Sequence, residues 1–237
     1  TGVKANPVEL ESLLRELSQL LLAWSWEGVV GYEELVERVG RTYGYDDTTV
    51  IMEAQAAIIK LEADGQGTFV KGGIPGFPPM AHTQVLKNTL ADIYRGELSV
   101  SEARRAINSL RNQAAPYSPI LNWLGVVILA IGFAVDVVGT WEGLLWAGIT
   151  GMVTGLAFVA ADRVPGFGKI AQLVATMGSG IIVMLAWKFG WTAAAPGLLL
   201  IASTFVFIPG DSISTQAYEL SMGRWSAGVD RLFYSII

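Results

Sequence analysis

Leucines at 10, 13, 14, 17, 20 and 21 recur at helical spacing, with Glu11, Arg15, Glu16 and Gln19 opposite. This pattern predicts an amphipathic helix whose leucine stripe is core. A second helix is expected from Tyr32 to Tyr43, with Leu35, Val36 and Val39 on one face and Gly44 placed to end it. The stretch Thr48 to Lys71 is β-branched and interrupted by Asp64-Gly65-Gln66-Gly67, which reads as short strands with a turn. Over Val50 to Leu61 a helix remains an open alternative. The Gly- and Pro-rich run Gly72 to Pro79 is a loop, followed by a helix from about His82 to Arg95. Ser99-Val100-Ser101-Glu102 has the spacing of a capping box and opens a helix to about Ala114, which Pro116 and Pro119 are expected to end.

Beyond Arg111 the periodicity gives way to long uncharged runs. Between Arg111 and Asp136 lie 24 uncharged residues, then 19 from Glu142 to Asp162, 18 from Lys169 to Lys188, and 22 from Lys188 to Asp211. About 20 helical residues cross a bilayer core, so spans are expected at Leu121 to Gly139, Gly143 to Ala161, Ile170 to Trp187, and from Leu198 onward. Trp123, Trp141, Trp146, Trp187, Trp191 and Trp225 fall near the ends of these segments, where amphipathic rings prefer the headgroup region. Ala147, Gly151 and Gly155 form a small-residue face suited to close helix packing. A fifth span begins near Ala227. The 11 residues to Ile237 reach only about 16 Å, so that span is expected to be incomplete in this chain.

Composition sharpens the division. The chain is 52% apolar and 16% charged, with 26 of its charged residues in 1–119 and 11 in 120–237. The expected fold is an α-helical multi-pass membrane protein with an N-terminal cytosolic α+β domain, residues 1–119, followed by a transmembrane domain, residues 120–237. Arg104, Arg105, Arg111, Arg163, Lys169 and Arg224 fall on the side of the N-terminal domain and Lys188 on the other. This bias places the first side in the cytoplasm, at the plasma (inner) membrane. A net charge of −5 without a basic cluster argues against nucleic acid as a partner. With no cysteine and one histidine, the chain offers no disulfide framework, no thiolate nucleophile and no Cys/His metal set, and no cofactor is expected. The first residues show no basic segment followed by an apolar run, so no secretory signal is read there.

The expected fourth span carries a polar run at its centre, Pro209-Gly210-Asp211-Ser212-Ile213-Ser214-Thr215-Gln216. Proline and glycine favour unwinding or a kink, and transporters use such discontinuous helices to grip charged substrate groups. On that reading Pro209 and Gly210 open the backbone. Asp211 binds an amino group or a proton, and Ser212, Ser214, Thr215 and Gln216 hydrogen-bond a hydroxyl. The other reading ends the span at Ile208 and makes the run an interfacial loop. Asp136, near the end of the first span, is a second candidate for proton coupling, or it lies among the outer headgroups beside Trp141. Asp230 and Arg231 adjoin the fifth span and are read as anchors.

The order of features resembles the threonine/serine exporter family. The resemblance is carried by the amphipathic N-terminal helix, Arg41-Thr42-Tyr43-Gly44, Gly96-Glu97-Leu98-Ser99 and Glu102-Ala103. Its most distinctive piece is Phe207-Ile208-Pro209-Gly210 followed by Ala217, Glu219-Leu220, Gly223, Gly228 and Arg231-Leu232. It implies a cytosolic domain and ten spans, in one chain or two, of which this chain shows the first half. A second transporter half or a homo-oligomer is the implied partner. It also implies export of small hydroxy amino acids driven by protons, with dicarboxylate (succinate) export as a variation. Two rivals stand beside it. A serine hydrolase would use Gly210-Asp211-Ser212 with His82 as base. A non-transporting membrane scaffold would bury the same polar residues in a dry helix contact, whereas a transporter needs them on a cavity that solvent reaches.

Overall fold

The computed structural model describes residues 4–24, 28–62, 64–72, 79–113, 117–208 and 210–236, with only the backbone described at Asp211 and 234–236. The chain divides into two compact units, one of Thr1–Pro116 with Gly210–Ile237 and one of Tyr117–Pro209. These units group the residues differently from the expected division at 119/120, because the last two helices pack with the N-terminal elements.

In the first unit, α1 (Pro7–Ala23) starts at an Asn6 cap, whose side chain accepts from the Val8 amide, with Pro7 in the first turn. The leucine stripe is core as expected: Leu10, Leu13, Leu14, Leu17 and Leu21 are fully buried and Leu20 nearly so. Each such side chain contributes about 1.5–3 kcal/mol by leaving water. Helix α2 (Val29–Thr42) follows, and Gly44 at φ +91 takes the left-handed conformation that stops it. Over Val50 to Leu61 the strand reading holds. The strands β1 (Thr49–Met52), β2 (Ala56–Lys60) and β3 (Thr68–Lys71) form an antiparallel sheet in the order β1-β2-β3. Val50, Met52, Ala57, Ile59 and Val70 point into the core, while Ile51, Ile58 and Phe69 line up on the outer face. That alternation is a strand's period, which a helix cannot accommodate. Of the expected loop Gly72 to Pro79, residues 73–78 lie outside the described residues.

Helix α3 (Met80–Tyr94) precedes α4 (Val100–Arg111), which opens with the expected capping box. The Ser99 side chain accepts from the Glu102 amide, and Glu102 accepts in return from the Ser99 amide at 2.9 Å. Arg104 of α4 donates to Glu16 of α1 at 2.8 Å, fastening the two helices at the rim of the leucine core.

The second unit contains α5 (Pro119–Val137), α6 (Trp141–Arg163), α7 (Gly168–Lys188) and α8 (Pro196–Thr204), the last continued by a 3-10 turn at Phe205–Phe207. Pro119, expected to end α4, instead occupies the first turn of α5 behind a Ser118 cap, because a missing amide hydrogen costs nothing there. Among the described residues three helices, α5 to α7, are long and apolar enough to cross a membrane. A fourth crossing is reached if Pro196–Phe207 and Ser212–Ser221 count as one broken span. Three long spans therefore match the expected positions, and the fourth is interrupted.

The inside of this unit is built from small residues. A Cβ on Gly151 would lie 2.8 Å from the Ala130 Cβ, and one on Gly155 would lie 2.8 Å from the Trp123 ring. The Ala147, Gly151, Gly155 face is thus the seam against α5, as close packing requires. Thr154 and Ser179 hydroxyls meet at 3.2 Å in the buried interior, and Ser179 also donates to the Thr150 carbonyl. Leu145, Leu156, Leu173 and Ile181 face outward. Trp123 and Trp146 donate their indole N–H groups to the Met152 and Trp191 carbonyls, and Trp141, Trp187 and Trp191 are exposed.

Candidate functional site

The chain leaves helical geometry at Ile208, which is extended at φ −76 and ψ 116. The helix and 3-10 turn before it, Pro196–Phe207, rise only about 20 Å, short of a bilayer core of roughly 30 Å. Pro209 itself lies outside the described residues. Of the expected unwinding or kink, the run itself does not unwind: α9 (Gly210–Ser221) resumes as regular helix at once, and the break lies before it. A proline just before a helix start breaks the preceding hydrogen-bond ladder without disturbing the one that follows. The carbonyls of 212–216 and the amides of 214–216 are therefore engaged in helix bonding, the first amides of α9 have no intrahelical acceptor, and the departure is confined to the joint before it.

Helix α9 is polar on its buried side. Ser212, Gln216 and Glu219, spaced by four and three residues, are at most 8% exposed, whereas Ile213 and Tyr218 are about half exposed. Gln216 Nε2 donates to Ser212 Oγ at 3.1 Å and to the Arg231 carbonyl at 3.0 Å, joining α9 to α10 (Trp225–Ile236). Gly228 lets the two helices approach, since a Cβ there would lie 2.8 Å from Leu220. Arg231 is 3% exposed, and its Nε lies 3.0 Å from Glu219 Oε1. A buried carboxylate and guanidinium at this distance offset each other's desolvation, and removing either leaves a buried charge.

The same Glu219 oxygen accepts from the Val29 amide of α2 at 2.9 Å. A second polar link lies one turn along α2, where Arg224 donates to and ion-pairs with Glu33. The other Glu33 oxygen accepts from the Met52 amide of β1 at 2.8 Å. Burial pushes the Glu33 carboxyl above its ordinary range, against the opposing pull of the Met52 amide and Arg224. Sheet, α2 and the α9–α10 pair thus share one chain of polar contacts inside the first unit.

The residues named from sequence separate within this arrangement. Ser212 and Gln216 come together on the buried face, and Thr215 is half-buried beside Gly28, where a Cβ would lie 3.0 Å from the Thr215 methyl. Ser214 is on the exposed side and donates its hydroxyl back to the Gly210 carbonyl at 3.0 Å. The Asp211 side chain lies outside the described residues. Asp136 sits in the last turn of α5 and is exposed. His82 is buried in α3 and stacked against Trp24, and its Nε2 has no hydrogen-bond partner among the described residues. Its Nε2 is therefore not hydrogen-bonded to Ser212 as the base of a serine hydrolase would be. No group of three or more His, Asp or Glu able to hold a metal occurs among the described residues.

Sequence reasoning named Glu219 only within the family resemblance and Arg224 only within the charge bias, gave neither a role at the site, and did not name Glu33. For Glu219 a signal existed: Ser212, Gln216 and Glu219 fall on one helical face opposite Ile213 and Tyr218, an inverted amphipathic pattern. Glu33 and Arg224 lie 191 positions apart, and nothing local marks them as partners.

Comparison with known families adds the remaining evidence. The chain matches the model of a family described as "Putative threonine/serine exporter" over residues 28–237, from the α2 cap through the membrane helices to α10. No curated protein and no solved structure matches it. Three apolar helices of spanning length, an interrupted fourth and a match over nearly the whole chain agree, and the chain belongs to the threonine/serine exporter family.

Proposed function

We propose that the chain is one half of a ten-span secondary transporter that exports threonine and serine from the cytoplasm in exchange for protons. Family membership over residues 28–237 carries this reading. The helix broken at Ile208 supports it, since discontinuous helices are where transporters hold charged substrates. On this reading the N-terminal elements face the cytoplasm, and the second half is another polypeptide or another copy. Substrate is held around Pro209, Gly210, Asp211, Ser212, Ser214, Thr215 and Gln216, with Asp211 or Asp136 taking the coupled proton.

A second reading, an anchored subunit that does not transport, is favoured by one observation. Ser212 and Gln216 are buried and bonded to each other in the α9–α10 contact, as a dry helix seam would have them. Efflux decides between the two. In liposomes holding the protein, labelled threonine and serine are expected to leave faster under an imposed pH gradient. Asp211→Asn is expected to abolish that flux with the fold intact, and Pro209→Ala to reduce it by restoring continuous helix. Wild-type flux in Asp211→Asn would remove Asp211 from the site. No flux of either amino acid in the unaltered protein would favour the anchored subunit.

A further inference from the structure

The first turn of α2 lacks a cap of its own. Its N-cap position is Gly28, which has no side chain to accept from the first amides. Glu219, from a helix 190 residues later, takes that role: its Oε1 accepts from the Val29 amide at 2.9 Å and lies 3.0 Å from Arg231 Nε. One oxygen is therefore the meeting point of α2, α9 and α10, and a carboxylate at a helix N-terminus is electrostatically favoured. The geometry tolerates little else at position 28. Gly28 has φ +82, and a Cβ on it would stand 3.1 Å from this same oxygen and 3.0 Å from the Thr215 methyl.

Apolar packing alone would not hold α9 in register here. Ala227 is the only buried apolar residue of the α9–α10 pair among the described residues, and a single methyl does not resist rotation. Two polar points do. Glu219 meets Val29, and Arg224 meets Glu33 four residues further along α2. Hydrogen bonds between fixed donors and acceptors specify rotation and register where apolar surface specifies only proximity.

Resting on the exporter reading, we propose that Glu219 is a positioning residue for the transported amino acid. By capping α2 it fixes the rotation of α9, and through that rotation the placement of Thr215 and Gln216. Loss of the contact then weakens substrate binding while leaving the slow step of transport largely intact.

The decisive variant leaves Glu219 untouched. Val29→Pro replaces the donated hydrogen with a ring methylene that displaces the Glu219 carboxylate from α2, and proline is well tolerated in the first turn of a helix. Glu219→Leu removes the acceptor. In liposomes under a pH gradient, Val29→Pro is expected to raise the threonine KM about ten-fold, the loss of one hydrogen bond to a charged group, with maximal efflux within about two-fold of wild type. Glu219→Leu, which also leaves Arg231 buried without its carboxylate, is expected to raise KM at least as far. A purely structural contact would lower the melting temperature or the amount of folded protein and leave KM where it was. Val29→Pro at wild-type KM overturns the proposal, also where Glu219→Leu fails to fold. The protein has no cysteine, so Ser212→Cys supplies a single thiol whose modification by a water-soluble maleimide reports the seating of α9 without any transport. That thiol is expected to react slowly alone and about ten-fold faster when combined with Val29→Pro. If the unaltered protein moves no threonine, the exporter reading fails, and the thiol measurement still tests whether the cap seats α9.

Discussion

Helices α1 to α4 and helices α5 to α8 follow opposite rules. The first group buries leucine, isoleucine and valine and, apart from Glu33, exposes its charges. The second buries chiefly alanine, glycine, threonine and serine, with Val126, Val127, Val183 and Leu199 the larger exceptions, and turns most of its leucine, isoleucine and methionine outward. In water the apolar side chain gains by leaving the solvent. In lipid it gains nothing, and packing and hydrogen bonding decide what goes inside. The α9–α10 pair follows the second rule although it is compact with the first group: Gln216, Glu219 and Arg231 are buried, and Ile213, Tyr218 and Phe233 are exposed. Membership of a compact unit and choice of solvent are thus separate properties in this chain.

The contrast can be broken most forcefully in the leucine core. Leu17→Ala is expected to cost about 2–5 kcal/mol in urea unfolding of the detergent-solubilised protein, because the residue is fully buried. Leu156→Ala, on the outward face of α6, is expected to change stability by less than about 0.5 kcal/mol. Equal costs would mean that Leu156 is covered in the folded protein. In the small-residue seam the sign of the size change reverses. Gly151→Val, whose Cβ would stand 2.8 Å from Ala130, is expected to destabilise by about 1–3 kcal/mol through overpacking. A neutral effect on the melting temperature would show that α5 and α6 part freely. Ser99→Ala removes the α4 cap and is expected to cost about 1 kcal/mol, readable by circular dichroism during thermal unfolding.

The smallest effects are in pH dependence, and they have opposite signs. Glu33 is raised by burial, so the native state holds its proton more tightly than the unfolded chain. Its contribution to stability is full below the ordinary value of 4.5 and declines as pH rises through the raised one. Glu102 is lowered, first by the Ser99 hydroxyl and then by the Ser99 amide. Its contribution is present above 4.5 and is lost as pH falls through the lowered value. Unfolding series from pH 3 to 7, about the carboxylate range, should therefore lose opposite slopes in Glu33→Gln and Glu102→Gln. Slopes unchanged by either substitution would remove these carboxylates from the pH response.

Much of the local structure was legible in order. The leucine stripe of α1, the Ser99 capping box, the glycine stop of α2 and the three uncharged runs of α5 to α7 each arise from interactions within a few turns of chain. Short-range periodicity reports such elements faithfully. The fate of Val50 to Leu61 was undecided because short apolar runs suit both a strand and a buried helix, and only pairing of β2 with β1 and β3 settles it. At the candidate site the break before Gly210 was readable from Pro209-Gly210, but the regular helix after it was not. Polar residues say what must be kept from lipid without saying by what backbone geometry.

By itself, then, the sequence determined helices α1 to α7, where charge is excluded and where the fourth apolar run is interrupted, because each depends on neighbours in the chain. Only the tertiary structure decided that Glu219 caps α2, that Arg224 reaches Glu33, and that the last two helices pack with the first ones. The partners in those contacts stand about 190 positions apart, and no local preference of Val29 or Glu33 encodes which distant side chain will satisfy it.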